Sequence, residues 1–277
     1  MKTLTNPFFI DMEKGARKAE SELGINLIVR TGAQETSIEQ QINIVDELIN
    51  SKVDAIVIAP GSSTELIPVL KKAQDAGILI VNIDNRLELE ESKKAGLLNV
   101  PFISVDNENA AYLSAKYISD KITKPAKAAI IEGIMAADNS KQRKNGALKA
   151  FKENSNITIV ALKTANWKID EAYKVTSDIF SKYPDLGAVF CANDMMALGA
   201  VEYIIKNDKK NVLVAGFDAL AEAKEAIDQG KMQVTIDQQA DIQGYKGVMY
   251  AVQILKHENV PMETMIPVKV INRDSIN

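Results

Sequence analysis

The chain has little cysteine, histidine, arginine or tryptophan, and each scarcity closes off a class of function. Its one cysteine, Cys191, allows no internal disulfide, and 277 residues at 46% apolar content can bury their cores without one. Cys191 falls inside an apolar run and reads as a core thiol. The one histidine, His257, stands between Lys256 and Glu258 near a helix end and reads as solvent-exposed, so no His-Cys-Asp cluster is on offer for a metal. There is no G-x-S-x-G elbow and no Walker lysine loop. Gly61-Ser62-Ser63 reads as a helix start rather than a phosphate seat. No apolar run approaches the roughly 18 residues of a membrane span, and no charged-then-apolar leader stands before the first helix. Acidic residues number 37 against 33 basic ones, for a formal charge of -4, and the lysines are scattered, which argues against a nucleic-acid groove. Lys206, Lys209 and Lys210 read as a solvated turn. Arginine is confined to Arg17, Arg30, Arg86, Arg143 and Arg273.

What is present is a regular alternation of short β-branched runs and longer amphipathic stretches, the pattern of strand-helix units around parallel sheets. Strands are expected at 26–29, 55–59, 78–83, 102–105, 128–131, 157–162, 188–191, 212–215, 233–236 and 266–270. Ser37 to Asn50 reads as a helix with Ser37 as N-cap and Ile38, Ile42, Val45, Leu48 and Ile49 on one face; Asp241 to Leu255 reads as another. The charged stretch from Leu87 to Pro101 reads as a surface loop. The length suits two lobes.

In open parallel sheets the ligand crevice lies past the carboxyl ends of the strands. Those ends are polar here: Asp84-Asn85-Arg86, Asp106-Asn107, Asn193-Asp194, Asp218 and Asp237-Gln238-Gln239. Each such Asp can be a helix N-cap or a ligand contact. Carboxylates, carboxamides and guanidinium groups share a flat fork that can grip two neighbouring hydroxyls, the carboxylate accepting, the Arg donating and the amide doing both. The one tryptophan, Trp167, follows a strand, and Phe8-Phe9 opens the first helix; either can pack in a core or present a flat face to the C–H surface of a polyhydroxylated ring.

Asn6-Pro7-Phe8-Phe9 with Gly15-Ala16, Asn82-Ile83-Asp84-Asn85-Arg86, Val105-Asp106-Asn107, Arg143 with Gly146, the run from Ala192 to Ala200, Gly216-Phe217-Asp218 and Thr235-Ile236-Asp237-Gln238 together resemble the type 1 periplasmic sugar-binding proteins of the ribose, xylose and galactose type, over essentially the full length. The resemblance implies two doubly wound α/β lobes, 1–105 with 239–266 and 106–238 with 267–277, joined by three crossovers and closing on a sugar between them. It implies ligand contacts from Asn6, Phe8, Phe9, Asp84, Asn85 and Arg86 in the first lobe, from Asn139, Arg143, Trp167, Asn193 and Asp218 in the second, and from Gln238 at a crossover, with the ring held between a Phe and Trp167. The ligand implied is an aldopentose or aldohexose, with xylose slightly ahead because Trp167 stands where ribose binders carry Phe and Asn139 precedes Arg143 by four residues. The chain would work as a monomer without cofactor or catalysis, in the periplasm or outside the cell, free or lipid-anchored. It would present sugar to a membrane ABC permease or, alternatively, report it to a membrane sensor; a repressor-type effector core and a carbohydrate-active enzyme are the other readings. Family members carry a β-strand ahead of the Asn-Pro-Phe-Phe turn that is not seen here, which leads to the expectation that this strand and an export signal lie upstream of Met1, and that restoring them would raise the melting temperature.

Overall fold

A helix opens at Pro7, where a missing N–H costs nothing because the first helical turn has no partner for it, and the Asn6 carboxamide oxygen accepts the Phe8 N–H at 3.1 Å. This helix, α1 (Pro7–Leu23), stops at Gly24, whose φ of 65° closes the last turn. The computed structural model describes residues 1–276. After α1 come α2 (Ile38–Asn50), β1 (Ala55–Ile58), α3 (Ile67–Asp75), β2 (Leu79–Ile83), α4 (Leu89–Ala95) and β3 (Phe102–Ser104). Then follow α5 (Asn107–Ser119), β4 (Ala126–Glu132), α6 (Asp138–Lys152), β5 (Ile157–Thr164), α7 (Ile169–Lys182), β6 (Leu186–Cys191), α8 (Asp194–Lys206), β7 (Leu213–Ala215), α9 (Ala221–Asp228) and β8 (Val234–Asp237). The chain ends with α10 (Ala240–Leu255), β9 (Glu263–Met265), β10 (Lys269–Asn272) and α11 (Arg273–Ile276).

These elements form two units. The first holds Met1–Val105, Ala136–Asp138 and Gln239–Ile266; the second holds Asp106–Met135, Asn139–Gln238 and the segment from Pro267 on. In the first, four parallel strands run in the order β1-β2-β3-β9, and their apolar face closes on a core that includes Leu66, Leu70 and Ile80. Helices α1 and α10 touch backbone to backbone. A methyl group on Gly15 would overlap the Asp241 carbonyl, and one on Gly244 would overlap that of Met12. In the second unit six strands run β10-β8-β7-β6-β4-β5, all parallel except for the antiparallel β10–β8 pair.

Gly61-Ser62-Ser63 does not start a helix as expected, since α3 begins at Ile67 with Leu66 at its N-cap, and the structure differs from the sequence reading in other details too. Residues 26–29 join no sheet among the described strands, because a cavity of about 590 Å³ bounded by 25–30, β1 and the apolar faces of α2 and α10 separates them from the β1 edge. Ser37 holds the N-cap position of α2 as expected, but its hydroxyl accepts the Gln34 N–H at 3.1 Å rather than an N–H of the helix. The stretch from Leu87 to Pro101 contains a helix, α4, capped by Glu88 on the Glu91 N–H and stopped by Gly96 in the left-handed region. The expected strand 266–270 is instead two short strands, β9 and β10, in different sheets, since Pro267 lies between them and has no N–H to give to a ladder.

Candidate functional site

The polar strand ends form one cluster in each unit. In the first, β2 delivers Asp84 in the left-handed region, φ 65°, a conformation pinned from both sides: its N–H donates to the Ile103 carbonyl at 3.0 Å and its carbonyl accepts the Ser104 hydroxyl at 2.7 Å. Its buried carboxylate lies 2.8 Å from the ammonium of Lys2, itself buried. Lys2 also stands 3.8 Å from Glu35 and 5.4 Å above the Phe9 ring, and Glu35 accepts from the Asn6 carboxamide at 2.9 Å. Phe8 and Phe9 pack edge to face at 5.1 Å and both are buried.

Two residues expected in this cluster are engaged elsewhere. The Asn85 carboxamide donates to the Pro60 carbonyl at 3.1 Å and to the Ser63 hydroxyl at 3.2 Å, tying β2 to the loop after β1. Arg86 reaches Glu263 at 3.0 Å, and its guanidinium carbon lies 4.0 Å from the Phe102 ring centre. The physical reason is the turn itself: with Asp84 left-handed and Asn82 bonded to the Asn85 carbonyl and the Leu87 N–H, successive side chains leave the strand in different directions.

In the second unit the centre is Arg143, 3% exposed, on α6. Its Nε donates to Asn107 Oδ1 at 2.8 Å and its Nη1 to the Ala192 carbonyl at 2.9 Å, while Nη1 stands 3.6 Å from Asp218. The guanidinium plane lies 3.8 Å from the Phe217 ring centre and 5.5 Å from that of Trp167. Asp218, at φ 125°, accepts from the Gln238 carboxamide at 2.6 Å. Asn139 is buried one helical turn before Arg143. Asn193 caps α8 through the Met196 N–H at 2.9 Å, and its Nδ2 reaches the Trp167 carbonyl at 3.5 Å. Trp167 follows Asn166, also in the left-handed region, and its ring is 4% exposed.

Asp194 belongs to the frame rather than the cluster. Burial pushes its carboxyl up to about 6 against the hydrogen bonds it accepts from the Thr235 hydroxyl at 2.7 Å and the Leu220 N–H at 2.9 Å. Burial likewise raises the Cys191 thiol well above its usual range. His257 is exposed.

The second unit thus brings together Arg143, Trp167, Asn193, Asp218, Gln238 and Asn139, and the first brings together Asp84, Asn6, Phe8 and Phe9. Lys2 and Glu35 were missed by the sequence reading, and Asn107 was among its polar strand ends but not among its ligand contacts. Asn107 follows a strand and carried the same signal as the others; a single lysine near a terminus carries none. In each cluster a carboxylate, an amide and a cation stand beside an aromatic ring, groups that can hydrogen-bond a neutral polar molecule with an apolar face.

The family model for the periplasmic binding protein domain matches residues 1–259. The chain belongs to the periplasmic binding protein family. It is 38% identical over 260 residues to the D-ribose/D-allose-binding protein of Pseudomonas aeruginosa, covering 92% of this chain and 80% of that one. It is 33% identical over 276 residues to the D-allose-binding periplasmic protein of Escherichia coli, covering 98% and 88%. A solved ABC-transporter solute-binding protein of Actinobacillus succinogenes with bound D-allose superposes with a TM-score of 0.93 at 39% identity, covering 100% of this chain and 96% of that one. These relatives are binding proteins, and this periplasmic binding protein is likewise a binder and not an enzyme.

Proposed function

We propose that this chain binds one D-aldose in ring form, of the allose or ribose kind, in the periplasm and presents it to a membrane ABC permease. The observation that carries the reading is the Arg143–Asp218–Gln238 array beside Trp167: a donor fork, an acceptor and an amide next to a flat ring, all buried. Asp218 and Asp84 would accept from ring hydroxyls, Arg143 and Lys2 would donate, and the indole would take the C–H face. Both clusters act on the same molecule, so the sugar favours whichever arrangement of the two units lets it touch both, and its binding shifts the population by the free energy of those added contacts. The names of the relatives support allose and ribose, while the Trp167 and Asn139 pattern favours xylose.

A ligand that binds the folded chain alone raises its melting temperature. A thermal-shift screen of D-allose, D-ribose, D-xylose, D-galactose, polyols and sugar phosphates is expected to show its largest rise with D-allose or D-ribose. A largest rise with D-xylose would overturn the allose or ribose assignment in favour of the sugar that Trp167 and Asn139 suggest; a response confined to phosphates or charged solutes would overturn the sugar reading altogether.

A further inference from the structure

Trp167 occupies a place in the second unit that exists because a neighbouring residue has no side chain. Its six-membered ring lies against Gly133, just past the end of β4, and a methyl group on Gly133 would overlap Cζ2, Cη2 and Cε2 of the indole. Gly133 is not among the residues with positive φ, so its backbone suits any residue. What the glycine supplies there is room.

The loop carrying Trp167 is held in register with this seat. The Thr164 hydroxyl donates to the Gly133 carbonyl itself at 2.6 Å, the Ala165 N–H donates to the Glu132 carbonyl at 2.9 Å, and the Asn166 carboxamide reaches Glu171 at 2.7 Å. Asn166 and Trp167 are both left-handed, with φ of 50° and 67°, a conformation that side chains other than glycine adopt at a cost and that the surrounding hydrogen bonds must maintain. Ring and seat are thus positioned by one short network across the β4 and β5 ends. The ring is 4% exposed, yet its Nε1 has no hydrogen-bond partner among the described residues. A buried indole N–H ordinarily finds an acceptor, and leaving it without one is unfavourable.

We propose that Trp167 is a two-part contact, its face for the C–H surface of the sugar and its Nε1 for one sugar oxygen, and that Gly133 is the positioning residue that sets where this N–H points. The proposal rests on the sugar-binding reading above and adds to it a requirement on the ligand: an acceptor oxygen must lie beside the apolar patch, within hydrogen-bond reach of the indole edge. Without the seat the ring would be displaced by the width of a methyl group, enough to break a hydrogen bond whose strength falls steeply with distance and angle.

Trp167 is the one tryptophan of the chain, so its emission reports this ring alone. In the wild type the emission is expected to be blue-shifted and poorly quenched by acrylamide. Gly133→Ala should shift it to the red and weaken D-allose or D-ribose binding by about tenfold or more, the scale of a lost buried hydrogen bond, with the circular dichroism and the melting transition retained. Trp167→Phe, which keeps a ring and loses the N–H, should weaken binding by a similar factor. In the Trp167→Phe background, Gly133→Ala should cost less than about threefold, because the smaller ring leaves the seat empty and the two effects are not additive. Unchanged emission and affinity in Gly133→Ala would overturn the proposal, as would an equal loss from Gly133→Ala in both backgrounds. If Gly133→Ala does not fold, the wild type decides: emission like that of a solvated indole, fully quenched by acrylamide, would overturn the seat. If neither sugar binds the wild type, the sugar reading fails, and the seat stands or falls on the wild-type quenching and the Gly133→Ala emission.

Discussion

Asp194 and Asp218 are both buried in the second unit, and their surroundings give them opposite roles. Asp218 faces the guanidinium of Arg143 at 3.6 Å and accepts from the Gln238 carboxamide, so its charge is paired within the cluster. Asp218→Asn keeps the shape and removes the charge, leaving Arg143 without its counter-ion; sugar affinity should fall by about 30-fold or more, a cost of roughly 2 kcal/mol or above for breaking a buried charged contact. Calorimetric titration checks this, and an unchanged affinity would remove Asp218 from the site. Asp194 instead holds the turn after β7 through Thr235 and Leu220. Its carboxyl is raised from 3.8 to about 6 chiefly by burial, so between these values the folded chain binds more protons than the unfolded one. The stability it contributes is therefore full below about pH 4 and is lost as pH rises through 6. The melting temperature of the wild type minus that of Asp194→Asn should grow as pH is lowered from 7.5 to 4.5; a difference that does not vary with pH would contradict the assignment.

Among the elements, the helix pair α1 and α10 is the most sensitive joint of the first unit. A side chain at Gly15 would meet the Asp241 backbone, which cannot swing aside as a flexible side chain could. Gly15→Ala should cost about 1–3 kcal/mol, on the scale of an overpacked contact, and lower the melting temperature; a neutral effect would mean that the helices can part. Which elements would form was largely legible in the sequence, because β-branched runs and helical periodicity are properties of neighbours along the chain. The exceptions are instructive. Residues 26–29 have the composition of a strand, but a strand needs a partner edge, and the sequence pattern says nothing of the cavity that separates them from β1. Pro267 should have divided the run from 266 to 270, since a residue without an N–H cannot sit within a ladder.

For the whole molecule, the rule that ligands gather past the carboxyl ends of parallel strands drew attention to Asp84 in one cluster and to Asn193, Asp218 and Gln238 in the other. The side-chain directions within each cluster could not be read from it. Asp84, Asn85 and Arg86 are consecutive and chemically alike in their forks, yet a single left-handed residue sends one to Lys2 and the others to Ser63 and Glu263. Lys2 was illegible because nothing local marks a lysine that will be buried; only the fold brings it to Asp84. The central claim is that the clusters of the two units serve one sugar. Isothermal titration of D-allose and D-ribose into the wild type, Asp84→Asn and Asp218→Asn tests it most directly. One sugar per chain and a loss of about 30-fold or more in each variant are expected. Two sugars per chain, or full affinity in either variant, would contradict it.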